Sequence, residues 1–322
     1  MIPIRDTIRS RNYPAVNMLI IAANVLLYLI EMAQGPDLDR FIFSYGLVPA
    51  RYSVPELAAQ FTFNEQVLAL FSFMFLHGGF WHLLGNMWSL YIFGDNVEDR
   101  LGPIRYLLFY LCCGWVSGLA QLATNWYSQV PTIGASGAIA GVMGAYLVLY
   151  PRSKILTLIP IVFIPLFVDI PASFFLGIWF LFQFLNAMGS SGAIGGVAFW
   201  AHIGGFLFGM LLLKLFARMP ELGVTRQVRQ TTAREKTPLL HLLRSAEADG
   251  SANLYGQISI SPFEARSGTW KMFSVPFGLR SRLVRVRVPP GVSNGTVLCL
   301  KQAGHAREEG GRGDLFLKVL VE

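Results

Sequence analysis

The sequence predicts an all-α polytopic membrane bundle with six transmembrane helices, followed by a small β domain at its carboxyl end. Three observations predict this class. Of the 322 residues, 53% are hydrophobic and 14% are charged, whereas soluble globular chains carry about 25% charged residues. Apolar runs near the length of a membrane crossing recur up to residue 216. After residue 283 the pattern changes to an alternation of apolar and charged residues, which is typical of strands.

Six segments come close to the ~20 apolar residues that a crossing requires, and they are residues 15–33, 80–98, 103–124, 136–150, 171–188 and 195–216. The fourth is short and rich in small residues up to Ala145. Small residues let helices approach closely, which predicts burial at the centre of the bundle. Residues 155–168 are also apolar, but Pro160 and Pro165 interrupt them, so we expect an interfacial or re-entrant piece. The long, aromatic-rich connection 34–79 is expected to be structured.

The charges of the loops predict the orientation in the membrane. Lysine and arginine cluster before the first segment and after the second, fourth and sixth, and they are absent from residues 125–135 and 189–195. Because positively charged loops stay on the cytoplasmic side, both termini are expected in the cytoplasm. No small-residue cleavage site follows the first apolar run, so a retained helix is expected rather than a removed leader. The expected location is a bacterial inner (cell) membrane.

The carboxyl-terminal third of the chain carries all of the net charge of +7. Residues 221–253 are polar and predict a linker between a membrane domain at 1–220 and a small β domain at 254–322. Turn-forming clusters separate three predicted strands, at residues 283–288, 296–300 and 315–321. A basic tail could meet nucleic acid or anionic lipid. However, the alternation of Arg285 and Arg287 with valines is typical of a solvated strand face, and no nucleic-acid partner is expected.

Three polar clusters lie in or beside the predicted membrane segments. Burying a polar group in a bilayer costs free energy, so each cluster calls for an explanation. The first is Gly134-Ala-Ser136-Gly137, at the start of the fourth segment. Small neighbours can expose the Ser136 hydroxyl, and its N–H at a helix start can point at an oxyanion. Taken alone, the same pattern is more often a helix-packing face.

The second cluster is Ala201-His202-Ile-Gly-Gly205, in the last segment. A neutral histidine can accept the proton of a serine hydroxyl and so activate it, although a lone membrane histidine can equally bond a neighbouring helix. The glycines give this segment a smooth face that can lie close against the segment of Ser136. No aspartate or glutamate is near either residue in sequence, so the chain predicts a dyad rather than a triad.

The third cluster contains His77, His82 and Asn86. His82 and Asn86 are four residues apart and share one helix face, where both can donate hydrogen bonds to the oxygen of a tetrahedral intermediate. A zinc site is the alternative for paired histidines. No glutamate accompanies them in a zinc-binding pattern, so neither a metal nor another cofactor is expected.

Together the three clusters resemble the rhomboid intramembrane serine proteases, in their order and in their helix placement, over about residues 10–216. The run from Gly94 to Gly102 is similar to the family's turn after the second helix, in which Glu98 and Arg100 would be structural. The resemblance implies a rhomboid-like six-helix bundle around a water-filled cavity that opens to the outer side of the membrane.

The resemblance also assigns roles. Ser136 would attack a peptide bond in or beside the transmembrane helix of a substrate protein, and His202 would act as base and then as acid. The oxyanion hole would consist of His82, Asn86 and the N–H of Ser136. Ala140 stands where some members carry a tyrosine against the histidine, so other groups must orient His202. The supporting residues would be His77, Gly134, Gly137 and Gly205.

The tail is similar to the carboxyl-terminal peptide-binding module of J-domain co-chaperones, from Val286-Arg-Val-Pro-Pro-Gly to Gly310-Gly-Arg-Gly-Asp-Leu315. This resemblance implies either a groove for hydrophobic peptides or an inert fused domain. No His-Pro-Asp tripeptide occurs, so recruitment of a partner ATPase by that signal is not expected.

Two other function classes stay open. A catalytically silent relative would bind membrane helices without cutting them, although it would not need serine, histidine and asparagine together. A transporter would be expected to carry acidic groups within the membrane or a repeated half-structure, which the sequence does not suggest. The expected partners of the protease are transmembrane protein substrates and the lipid bilayer.

Overall fold

A computed structural model describes residues 1–8, 10–161, 164–189, 197–220, 223, 225, 228, 240–242, 252–277, 280–305 and 311–321. The chain divides into two compact units. The first comprises Met1–Ser10 and Pro14–Thr225, and the second comprises Arg11–Tyr13 and Arg226–Glu322. Nearly all of the predicted loop 189–195 and most of the predicted linker 221–253 lie outside the described residues.

The first unit is mainly helical, as predicted. Its helices, numbered along the chain, are α1 (Ala15–Met32), α2 (Leu38–Tyr45), α3 (Ala50–Ser53), α4 (Pro55–Ala58), α5 (Phe63–Ser72), α6 (Phe80–Leu101), α7 (Pro103–Thr124), α8 (Ser136–Leu149), α9 (Ala172–Gly189) and α10 (Phe199–Arg218). Six of them, α1 and α6 to α10, lie at the six predicted segments. The expected structured connection contains the four short helices α2 to α5.

When helices are judged by length and apolarity, fewer of the described ones qualify as membrane spans than the six predicted. Within the described ranges four helices, α1, α7, α9 and α10, can each cross a membrane alone. Helix α6 qualifies only together with Phe63–Phe75, which is bent from it by 77°. Helix α8 has 14 residues. The structure therefore supports four or five spans on these criteria.

Helix α8 lies at the centre of the unit. All ten residues from Gly137 to Tyr146 are buried, as their small size predicts. Helix α10 packs directly on this face through glycines. A Cβ placed on Gly205 would overlap the carbonyl oxygen of Gly137, and one on Gly209 would overlap that of Gly141. The two backbones are therefore in contact along two turns.

The apolar segment that the sequence predicted as an interfacial or re-entrant piece contains two paired strands, on either side of residues 162–163. Strands β1 (Ile2–Asp6), β2 (Lys154–Ile161) and β3 (Ile164–Pro171) form an antiparallel sheet in that order. Proline is tolerated in strands where no ladder hydrogen bond is lost. Pro160 lies beyond Leu158, the last partner of β1, and Pro165 lies on an edge strand.

Glu98 joins the start of α1 to the end of α6. No side chain of α1's own N-terminus caps that helix. Instead the Glu98 carboxylate accepts the N–H groups of Val16 at 3.1 Å and Asn17 at 2.7 Å. Tyr106 on α7 donates its hydroxyl to the Asn17 side chain at 2.7 Å. These bonds fasten three helices at one end of the bundle, where Arg100 is exposed.

The second unit contains the carboxyl-terminal strands, which confirms that part of the predicted fold class. Its elements are β4 (Leu240–Leu242), β5 (Leu254–Ile260), α11 (Pro262–Ser267), β6 (Thr269–Phe277), β7 (Arg280–Val288), β8 (Val297–Leu300) and β9 (Leu315–Val321). They form two sheets, β4-β6-β7 and β5-β9-β8. Strand β4 lies within the segment predicted as a linker. A buried ion pair between Lys271 and Glu264, at 2.6 Å, joins β6 to α11.

Replacing Glu98 by alanine is expected to lower the free energy of unfolding by ~1–3 kcal/mol, because one buried and one partly buried backbone N–H group lose their acceptor. Glu98→Gln retains one acceptor oxygen, so its free energy of unfolding should lie between those of Glu98→Ala and the wild type. Thermal unfolding in detergent micelles measures both. Glu56→Ala, at an exposed acid in α4, is the matched control. Equal unfolding temperatures for Glu98→Ala and this control would contradict the capping role.

Candidate active site

Ser136 and His202 are brought together across the contact between α8 and α10. The distance from His202 Nε2 to Ser136 Oγ is 2.7 Å. Ser136 is the first residue of α8, and His202 lies in the first turn of α10. His202 is buried, at 8% exposure, and Ser136 is half-buried. The two clusters that the sequence places 66 residues apart therefore form one hydrogen-bonded pair.

Backbone contacts fix the position of Ser136. Gly134 has a φ of +123°, a conformation that side chains rarely adopt, and its N–H donates to the carbonyl of Phe73 at 2.9 Å. Two further hydrogen bonds, between Leu47 and Thr132 at 2.8 and 3.0 Å, tie the same loop to the 34–79 connection. The loop is thus held at the point where α8 begins.

His82 and Asn86 face the same point from α6. A Cβ placed on Gly134 would lie 2.8 Å from His82 Nε2 and 3.7 Å from Asn86 Nδ2. Asn86 is buried, and its Nδ2 has no hydrogen-bond partner among the described residues. Two possible donors therefore converge beside Ser136, in the space that glycine leaves.

His77 supports this group from behind. Its side chain is fully buried, and its ring lies edge-on to that of His82, with the ring centroids 5.2 Å apart. Its backbone N–H donates to the Glu31 carboxylate on α1 at 2.9 Å. The described residues contain no group of three or more His, Cys, Asp or Glu side chains that could hold a metal ion.

A cavity of about 690 Å³ opens in front of the pair. Ser136, His202, His82 and Asn86 all line it. Other polar side chains, Ser89, Gln121, Asn125 and Ser128, also line it, together with aromatic and aliphatic groups. None of its described lining residues is a carboxylate.

Residues 64–219 match the Rhomboid domain. This part of the chain is a rhomboid domain. The match includes the candidate residues from His77 to Gly205, so the resemblance seen in the sequence is confirmed. Glu98 and Arg100 lie in the same domain, at the end of α6 remote from His82.

Similar proteins carry the same family name. The chain is 30% identical to the human "Presenilin-associated rhomboid-like protein, mitochondrial" over 198 residues, which are 59% of this chain and 45% of that protein. It is 29% identical to "Rhomboid protein 1, mitochondrial" of Saccharomyces cerevisiae over 189 residues, 55% of this chain and 47% of that one. "RHOMBOID-like protein 6, mitochondrial" of Arabidopsis thaliana is 33% identical over 162 residues, 48% and 45% of the two chains. The matches thus span less than half the length of these relatives.

These relatives correct the expected location. All three are mitochondrial by name, so the expectation of a bacterial inner membrane, with both termini in a bacterial cytoplasm, is wrong. The physical reason is that loop charges report only how a chain is oriented. They do not identify the membrane in which the chain resides.

Sequence reasoning missed two rhomboid-domain residues that contact His202. Gln183 Oε1 lies 2.8 Å from His202 Nδ1. The ring of Trp179 lies beside the imidazole, with centroids 6.0 Å apart. Both are on α9, one turn apart, in a segment that looked like a plain apolar span. The available signal was that Gln183 is a lone amide within the apolar run 174–185.

Replacing Gly205 by alanine is expected to separate α8 from α10, because the new methyl group would meet the backbone of Gly137 rather than a movable side chain. Overpacking of this kind costs ~1–3 kcal/mol of stability. Thermal unfolding in micelles should show a clear loss. The matched control is Gly177→Ala on α9, where a Cβ meets nothing within 4 Å. A Gly205→Ala protein as stable as this control would contradict the close backbone contact.

Proposed function

We propose that the rhomboid domain is an intramembrane serine endopeptidase that cuts transmembrane protein substrates within the lipid bilayer or at its surface. The observation that carries the proposal is the 2.7 Å contact between His202 Nε2 and Ser136 Oγ, at the wall of a large cavity. A histidine within hydrogen-bond reach of a hydroxyl is the arrangement that activates a serine nucleophile. The names of the relatives lead us to propose a mitochondrial membrane as its location.

The first half of the reaction forms an ester on the serine. As Ser136 Oγ attacks the scissile carbonyl carbon, its proton passes to His202 Nε2. The carbonyl oxygen becomes an oxyanion. When the tetrahedral intermediate collapses, the C–N bond breaks, and the leaving nitrogen takes the proton from His202. The product is an acyl ester on Ser136 and a free amine.

The second half restores the enzyme. A water molecule attacks the ester carbon and gives a proton to His202 Nε2. Collapse of the second intermediate breaks the bond between the carbon and Ser136 Oγ, which recovers its proton from His202. The second product leaves as a carboxylic acid. Polar side chains along the cavity, among them Gln121 and Ser128, support the presence of this water.

The donors beside Ser136 suit an oxyanion hole. The unpartnered Nδ2 of Asn86 is available to an incoming oxygen, and a ring nitrogen of His82 lies close to it. The N–H of Ser136 has no acceptor within α8, because it belongs to the first helical residue. Donors that are in place before charge develops lower the barrier without reorganisation. We assign positional roles to Gly134, Gly137, His77 and Gly205, and structural roles to Glu98 and Arg100.

A silent, helix-binding rhomboid protein is the competing function, since the family includes inactive members as well as proteases. The same cavity could hold a membrane helix without cutting it. The dyad contact and the unpartnered Asn86 amide favour the protease, because binding alone requires neither.

For the carboxyl-terminal unit we propose peptide binding. A cavity of about 160 Å³ within this unit is lined by the aliphatic residues Val275, Val284 and Leu300. Arg282, Lys301 and Arg312 line it as well. This mixture suits an apolar side chain of a peptide that also carries negative charge. Isothermal titration of such peptides into the full chain and into Val284→Asp would test it, and equal binding by both would reject it.

Ser136→Ala and His202→Ala are both expected to abolish labelling by a fluorophosphonate probe and cleavage of a transmembrane substrate in liposomes. The first removes the nucleophile, and the second removes its base. Thermal unfolding of each variant should remain near the wild-type value, which separates lost chemistry from lost folding. Folded wild-type protein without labelling would favour the silent relative. Labelling that survives Ser136→Ala would mean that another serine is the nucleophile.

Asn86→Ala is expected to lower kcat about 10²- to 10³-fold with a smaller change in KM, as loss of one oxyanion donor does. Asn86→Asp preserves the side-chain shape but lacks the NH₂ group, so it should be impaired at least as strongly. Steady-state cleavage of a fluorogenic transmembrane substrate gives both constants. An Asp variant with near wild-type kcat would show that Asn86 only fills space.

A further inference from the structure

Both ring nitrogens of His202 lie within hydrogen-bonding distance of another side chain. On one side its Nε2 lies 2.7 Å from Ser136 Oγ, and on the other its Nδ1 lies 2.8 Å from Gln183 Oε1. The three side chains come from three helices, α8, α10 and α9. A polar amide in an apolar membrane helix needs a reason, and this contact supplies one.

The amide oxygen decides which tautomer of His202 is present. A carbonyl oxygen can only accept a hydrogen bond, so with Gln183 Oε1 placed against Nδ1 the neutral ring is expected to carry its hydrogen on Nδ1. The lone pair is then on Nε2, where it faces the Ser136 hydroxyl. The opposite tautomer would place a hydrogen on Nε2 and could not take the serine proton.

We propose that Gln183 is a positioning residue that holds His202 in the tautomer and orientation required for proton transfer. This inference rests on the proposed protease function. In serine proteases with a triad, a carboxylate performs this task. No described residue that lines the cavity is a carboxylate, so here a neutral amide takes that position.

Helix α9 holds the ring in a second way. Trp179 is four residues before Gln183, so both side chains share one face of the helix. Its ring lies beside the imidazole, with centroids 6.0 Å apart and planes 32° from parallel. On α8, the residue one turn after Ser136 is Ala140, whose methyl group cannot support a ring. Orientation of His202 therefore depends on α9.

The first test is Gln183→Leu, which has a similar size but no acceptor. We expect kcat for a transmembrane substrate to fall about 10- to 100-fold, the effect of losing one hydrogen bond to a charged imidazolium. KM should stay nearly constant. The control is Asn186→Leu, an exposed amide three residues further along α9 whose hydrogen bond goes to its own helix. Equal kcat for the two variants would overturn the inference.

The second test is Gln183→Glu, which replaces the acceptor by a charged one. The only other titratable side chain that faces His202 from the described wall of the cavity is His82 on α6. A carboxylate on Nδ1 favours the imidazolium form. We therefore expect activity to be retained at alkaline pH, with the acidic limb of the kcat/KM profile about one pH unit or more higher than in wild type. If the acidic limb of the kcat/KM profile does not shift in Gln183→Glu, residue 183 does not contact His202 directly and the inference fails.

A third measurement does not depend on turnover. Nitrogen-15 NMR of the histidine rings, assigned with His202→Ala, reports which nitrogen carries the hydrogen. We expect an Nδ1-protonated neutral ring in wild type and a mixture in Gln183→Leu. If wild type has this tautomer but fluorophosphonate does not label it, the proposed protease function fails while the positioning contact stands. If the wild-type ring is protonated on Nε2, the inference about Gln183 fails even in an active enzyme.

Discussion

The contact of α8 with α10, backbone against backbone, is the constraint on which the rest of the rhomboid domain depends. In a bilayer, apolar side chains gain little by leaving lipid, so helices associate through close packing and hydrogen bonds. Gly205 and Gly209 on α10 meet the carbonyls of Gly137 and Gly141 on α8. Any side chain at these positions would move the helices apart. The 2.7 Å distance between Ser136 and His202 exists because the glycines allow it.

The two ends of the bundle use polar groups differently. At the end remote from Ser136, the Glu98 carboxylate and the Asn17 side chain are fully engaged with neighbouring helices, and they stabilise the fold. Beside Ser136, the donor Asn86 Nδ2 has no partner among the described residues. Unsatisfied buried donors reduce stability. Asn86 lies on the same cavity wall as Ser136. The free energy lost by leaving its NH₂ group unpaired would be recovered when the oxygen of a substrate accepts a hydrogen bond from it.

Family membership and chemistry rest on separate observations. The match over residues 64–219 establishes a rhomboid domain, and that family contains both proteases and inactive members. The proposed activity rests instead on distances within this chain, from Ser136 through His202 to Gln183. The relatives add a mitochondrial context. They do not bear on the carboxyl-terminal β unit, whose aliphatic and basic cavity is a separate basis for a binding role.

The sequence by itself determined the helices, their order and the candidate groups, because long apolar runs, small-residue stretches and polar clusters are local properties of a chain. It predicted the start of α8 at Ser136 and the strands beyond residue 283. It could not reveal the paired strands 154–161 and 164–171, since Pro160 is tolerated because β1 stops short of it and Pro165 because it lies on an edge strand. Nor could it pair Gln183 with His202, because that contact depends on how α9 is placed against α10. Local pattern determined the six long helical segments and the carboxyl-terminal strands, and only the tertiary structure decided how β1 to β3 pair and which polar atoms meet.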